Sequence, residues 1–151
     1  EKIEGTRLSL EGKANFLARM IRGNLALAFQ GLVVIPLFCG YDMHRSSGRL
    51  FSFDVVGGQY DELHSATTGS GGLEARSFLK GRWRDDLTSD EAVSLAVEGL
   101  VAAAEEDAAT GGPDPKRGIY PNVLTVTSSG IVELTDDDLA PIVDVVLGRR
   151  P

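Results

Sequence analysis

The stretch RLFSFDVVGGQYDEL, residues 49–63, decides the class of fold. Phe51, Phe53 and Val55 alternate with Ser52 and Asp54, the two-residue period of a strand with one buried face. Gly57-Gly58 follows and can supply the positive φ angles of a tight turn. Strands joined by so short a turn pair antiparallel, so the segment predicts a hairpin. A second hairpin is predicted further on. Val123 to Thr127 is β-branched, Ser128-Ser129-Gly130 turns it, and IVEL returns.

Helices surround these hairpins. In SLEGKANFLARMIRGNLALAFQ (9–30), Leu10, Ala14, Leu17, Ile21, Leu25 and Ala28 recur at three- and four-residue steps. That spacing predicts one helix with a single apolar face, Lys13 and Arg22 lying outside it and Gly31 ending it. LVVIPLFCGYD (32–42) is β-rich and almost wholly apolar, which predicts a strand buried on both faces, weakened at Pro36. EKIEG (1–5) has no pattern of its own, and Gly5 reads as the stop of an element. SATTGSGG (65–72) leads into a short helix ending near Trp83, and Asp85-Asp86 falls in a solvated loop. Thr88-Ser89-Asp90-Glu91 has the spacing of a capping box. The helix behind it is expected to bury Val93, Ala96, Val97, Leu100 and Ala104. It runs into EEDAATGGPDPKRGIYP (105–121), a stretch that breaks at Gly111-Gly112-Pro113. Asp136–Asp138 open a last helix, where negative charge meets the helix dipole, with Leu139, Ile142, Val143 and Val146 on its buried face. The order of helix, strands, two helices, hairpin and helix is α+β. With no repeat or linker, residues 1–151 read as a single domain.

Composition narrows the function. The chain has 151 residues, 42% of them hydrophobic, enough for one domain with a real core. Its net charge of -7 argues against general nucleic-acid binding. The longest apolar run, GLVVIPLFCG (31–40), is too short to span a bilayer, so no membrane partner is expected. The chain opens with Glu rather than Met, as a processed, trimmed or incomplete chain would. Its one cysteine, Cys39, cannot form an internal disulfide, which suits a reducing cytoplasm. Lying in an apolar run, Cys39 is expected to be buried and inert. His44 and His64 stand 20 positions apart with no ligand spacing, so no metal site is expected, and no cofactor is expected either.

Two stretches could carry chemistry. SATTGSGG is not a Walker loop, because no Lys follows its glycines. Ser70 lacks the G-x-S-x-G elbow. Thr67 and Thr68 are internal, so neither has a free amine to act as its base. On residues alone the stretch is a helix start, with Ser or Thr as cap and glycines for close packing. In EEDAATGGPD, Asp107 ends a helix, where a carboxylate opposes the dipole. Either some donor or cation holds it there, or it is a solvated acid in an acidic run.

Taken in order, GYD (40–42), FSFDVVGGQY (51–60), TGSGG (68–72) and EDAATGGPDPKRGIYP (106–121) resemble the β-type subunit of the proteasome, particularly its actinobacterial branch. The resemblance implies an N-terminal-nucleophile hydrolase fold, a four-layer αββα sandwich of antiparallel sheets. It implies a threonine-type endopeptidase in which the N-terminal threonine, exposed by propeptide removal, attacks with its own amine as base. EKIEG resembles the tail of the family's first helix. The opening strands are therefore expected to be missing, and with them the nucleophile, its Asp and Lys partners and the oxyanion glycine. Lys2 and Lys13, read as helical, are no substitutes. What carries over is a supporting network: Ser70, Asp107, and Thr110 at a position often occupied by Ser.

The implied role is ATP-dependent protein degradation by the core particle, in the cytoplasm. The implied partners are other β subunits in a ring, α-type subunits, an ATPase regulator and unfolded protein substrates. Without its strands the 151-residue piece is expected to be inactive and to associate through exposed edges. Two other readings stand beside this one, a catalytically inactive subunit that only fills a ring and an unrelated small-molecule-binding α+β domain.

Overall fold

The computed structural model describes residues 2–3 and 6–148. Gly5, read as an element's stop, lies outside the described residues. Two compact units result, residues 1–66 with 126–130 and residues 67–125 with 131–151. The strand pairs within residues 2–7 and 37–62 are antiparallel, and helices alternate with hairpins, the expected α+β composition.

The first unit begins with two short strands, β1 (Lys2–Ile3) and β2 (Thr6–Arg7). Lys2 is thus extended, not helical as expected. Helix α1 (Leu10–Gly23) starts at Ser9, whose hydroxyl accepts from the Gly12 N–H. The helix expected to run to residue 30 breaks at Asn24, and a short α2 (Leu25–Ala28) follows. Gly23 favours the break. Asn24 then satisfies the end of α1 with its side chain, which donates to the Met20 carbonyl at 2.8 Å.

The hairpin forms as expected, except that Val55 lies exposed in the turn beyond the strand, and it extends into a three-stranded sheet ordered β3 (Leu37–Asp42), β4 (Ser47–Phe53), β5 (Gln59–Glu62). The turn between β3 and β4 was not signalled by Gly or Pro. Asp42 builds it, its carboxylate accepting from the His44 and Arg45 N–H groups. Between β4 and β5, Gly57 has φ +81°, and a Cβ there would lie 2.7 Å from the Ala18 carbonyl of α1. The turn residue is therefore also the residue that lets the helix pass. Arg22 closes the contact by donating to the Gly57 carbonyl at 3.0 Å.

The core of this unit is Ala14 and Ala18 of α1 against Phe51 and Phe53 of β4, with Leu10, Leu17, Ile21 and Phe38 packed around them. Gly40 admits Leu10, since a Cβ there would run into it. Above Phe51 lies the Arg49 guanidinium, 4.7 Å from the ring centroid. Arg49 also pairs with Glu11 and Asp61, tying α1 to the sheet.

Two expectations fail along β3. Residues 32–36 form no strand, and Leu32, Val33, Val34 and Ile35 are exposed. The strand starts only after Pro36. Within it Phe38 and Gly40 are half-buried while Leu37 and Cys39 are exposed, so one face packs and the other is open. Cys39, expected to be buried, is on the open face.

The second unit is built on helix α4 (Ser89–Glu106). Its capping box is complete: Thr88 Oγ1 accepts from the Glu91 N–H, and Glu91 accepts from the Thr88 N–H. The expected buried face is only partly right. Val93 and Val97 are buried, but Ala96 and Leu100 are exposed, and Leu95, Gly99 and Ala103 are buried instead. The cause is that α4 packs on two sides. Val93, Val97 and Val101 meet Leu139, Val143 and Val146 of α5 (Asp136–Gly148). Gly99 takes the Leu79 side chain of α3 (Gly72–Lys80), which ends short of Trp83. After α4 the chain forms a short 3-10 turn, Pro115–Arg117, then the hairpin β6 (Leu124–Thr127) and β7 (Gly130–Glu133), of which residues 126–130 are counted with the first unit. Thr135 and Asp138 cap α5 reciprocally.

Candidate functional site

Ser70, Asp107 and Thr110 meet in the second unit, although Ser70 and Asp107 are 37 residues apart. Asp107 follows the last turn of α4 with φ -114° and ψ 111°, and its N–H still donates to the Ala103 carbonyl. Its Oδ2 accepts from Ser70 Oγ at 2.5 Å and from Thr110 Oγ1 at 2.5 Å. Its Oδ1 accepts from the Ala109 N–H at 3.4 Å. The dipole puzzle is thereby answered: hydroxyls, not solvent alone, hold the carboxylate at the helix end. Hydrogen bonds from Ser70 first, then Thr110, hold its pKa below the usual carboxylate value of 3.8.

Ser70 does not cap α3 as the helix-start reading expected. The N-cap is Gly71, with no side-chain cap bond. The serine hydroxyl turns instead to Asp107. The adjacent glycine is what brings the two helix ends together. A Cβ on Gly71 would stand 2.6 Å from Thr110 Oγ1 and 3.0 Å from the Ala103 Cβ. The Gly-Gly pair signals close packing without naming the partner; the family resemblance is what groups Ser70 with Asp107 and Thr110.

The local backbone makes a direct test possible. Gly71 has φ -83°, a conformation open to any residue, so the obstacle to a side chain there is steric alone. At Gly72 a Cβ would meet nothing closer than 3.7 Å. Gly71→Ala is therefore expected to destabilise by about 1–3 kcal/mol, the usual cost of overpacking. Gly72→Ala is expected to be neutral or stabilising by up to about 1 kcal/mol. Urea unfolding of the two variants measures the difference, and equal midpoints would contradict the crowding at Gly71.

A hydroxyl that donates its one proton to a carboxylate keeps only lone pairs for other neighbours. The cluster thus offers two oxygen acceptors beside a negative charge. That set suits a cationic donor such as an ammonium group. No group of three or more His, Cys, Asp or Glu among the described residues is placed to hold a metal ion. No helix among them is long and apolar enough to cross a membrane.

Comparison with known proteins bears on the same residues. A family model described as proteasome subunit matches residues 1–114, a span that includes Ser70, Asp107 and Thr110. A protein of Streptomyces griseus subsp. griseus named proteasome subunit beta is 52% identical over 150 residues, covering 99% of this chain and 53% of that protein. A protein of the same name from Acidimicrobium ferrooxidans is 56% identical over 142 residues, covering 94% of this chain and 52% of that protein. The chain spans about half the length of these curated relatives.

Proposed function

Because this chain belongs to the proteasome β-subunit family, we propose that it is part of a threonine-type peptidase subunit, and that Ser70, Asp107 and Thr110 support the nucleophile. Its mixed helix and antiparallel-sheet architecture is consistent with the N-terminal-nucleophile hydrolase-like fold of that family. In this reading both compact units belong to one β-type domain. The nucleophilic threonine comes from a segment of the subunit outside these 151 residues, which alone are inactive.

The observation that carries the reading is the convergence of two hydroxyls on one carboxylate oxygen. A threonine that uses its own amine as base passes through an ammonium state. Asp107 supplies the opposite charge for that state, and the lone pairs of Ser70 and Thr110 accept its N–H groups. The acceptors are in place before the proton moves, so little reorganisation accompanies the transfer.

The same reading extends to the assembly. The subunit joins other β subunits in a ring, stacks on α-type subunits and receives unfolded proteins from an ATPase regulator. The cytoplasm suits a chain with one cysteine.

Ser70→Ala in the full-length, assembled protein tests the proposal. Loss of one hydrogen bond to a charged group predicts a kcat about 10-fold lower with KM unchanged, measured on a fluorogenic peptide. Unchanged kcat would count against a supporting role for the cluster. Absence of turnover in the wild-type assembly would favour an inactive ring subunit.

A further inference from the structure

We propose that Thr67 is a positioning residue that holds the Ser70 hydroxyl on Asp107, an inference that rests on the reading of Ser70, Asp107 and Thr110 as support for a catalytic threonine. Thr67 carries no assignment from the resemblance. As an internal residue it has no free amine, and its hydroxyl is engaged elsewhere: Thr67 Oγ1 donates to the Gly72 carbonyl at 2.7 Å.

That bond closes a loop around Ser70. Thr67 lies three residues before the serine and Gly72 two residues after it. Inside the loop, the Gly72 N–H donates to the Gly69 carbonyl at 3.1 Å, and Gly69 takes φ +93°. Two hydrogen bonds and one left-handed glycine thus define the path of the chain on both sides of Ser70. The serine itself is exposed, so surrounding side chains do little to place it. An exposed hydroxyl meets one carboxylate oxygen at 2.5 Å only if its backbone is already held. Thr67 is half-buried and anchored to the first residue of α3, the part of the loop least free to move.

The test uses the full-length, assembled protein with Thr67→Val, which keeps the shape and removes the hydroxyl, and Thr67→Ser, which keeps the hydroxyl. Two readouts are taken: kcat and KM on a fluorogenic peptide, and amide hydrogen exchange of the 67–75 segment. Thr67→Val is expected to lower kcat about 5-fold at unchanged KM, the effect of one lost neutral hydrogen bond. Its exchange should rise at Gly72 and Ala75. Thr67→Ser should stay within about 2-fold of wild type in both readouts. In a Ser70→Ala background Thr67→Val should cost nothing further, since both changes act through the same bond.

Unchanged exchange or unchanged kcat in Thr67→Val, with Ser70→Ala impaired, would overturn the positioning role and leave the supporting network standing. Full additivity of the two changes would overturn it as well. Raised exchange in Thr67→Val with a fully active Ser70→Ala would overturn the supporting network itself, and the role of Thr67 with it.

Discussion

Asp107→Asn in the full-length assembly is expected to lower kcat about 10²-fold, the effect of removing one preorganised group that stabilises developing charge. The substitution keeps the size of the side chain and removes its charge. Two hydroxyls now donate to that charge through one oxygen. An amide oxygen accepts more weakly, and an amide nitrogen turned toward them would only donate. More important is the loss of the counter-charge for the ammonium formed when the threonine amine takes its proton. The same loss has a signature that a merely structural defect would lack. A neighbouring negative charge raises the pKa of an amine, so removing it lowers that pKa. The base must be neutral to act. The acid limb of the kcat/KM profile should therefore move to lower pH, by about one unit. A wild-type rate, or an acid limb that stays in place, would contradict the assignment. The Ser70 and Thr110 hydrogen bonds hold the pKa of Asp107 itself below the usual carboxylate value. Since the folded pKa lies below the unfolded one, the stability this residue contributes is present above the unfolded pKa and fades as pH falls through the folded value.

Phe51→Ala is expected to have the largest effect on stability, about 3–5 kcal/mol. Phe51 is 0% exposed at the centre of the first unit's core. Its ring stacks with Phe38 at 6.0 Å between centroids and carries the Arg49 guanidinium on its edge of the core. Truncation leaves a cavity beside Ala14 and Ala18, side chains too short to reach into it. It also leaves Arg49 without its aromatic partner while the ion pairs to Glu11 and Asp61 remain. The shift corresponds to a thermal midpoint lower by on the order of 10 °C in the full-length protein. Calorimetry of that variant would show it, and a change under about 1 kcal/mol would mean that Phe51 is not the centre of this core.

What could be read beforehand was what is local. The Thr88–Glu91 capping box is a pattern of four adjacent residues, and it formed as written. The Gly57 turn and the alternation around Phe51 needed only one strand's pleat. The buried face of α4 was harder, because a helix packed on two sides has no single apolar stripe. Gly99 and Ala103 lie on the α3 side, where small residues were needed for approach rather than for hydrophobicity. Residues 32–36 misled for a related reason: apolar composition marks a surface that packs, without saying against what. For the site, the dipole argument showed that Asp107 needed donors. It could not say that one of them would be Ser70, because that contact depends on how α3 and α4 pack.

Helix α4 holds a consequence of its own. It runs 18 residues, about 27 Å, from a complete cap at Thr88 to Asp107. Its valine row is seated against α5 and its small-residue row against α3. A helix so gripped behaves as a shaft of set length and set angle. Each residue advances it by about 100°. One residue added or lost between Gly99 and Glu106 would swing the carboxylate about a quarter turn away from Ser70, with every amino acid of the cluster still present. In α4 the number of residues is as binding a constraint as the identity of the residues that pack.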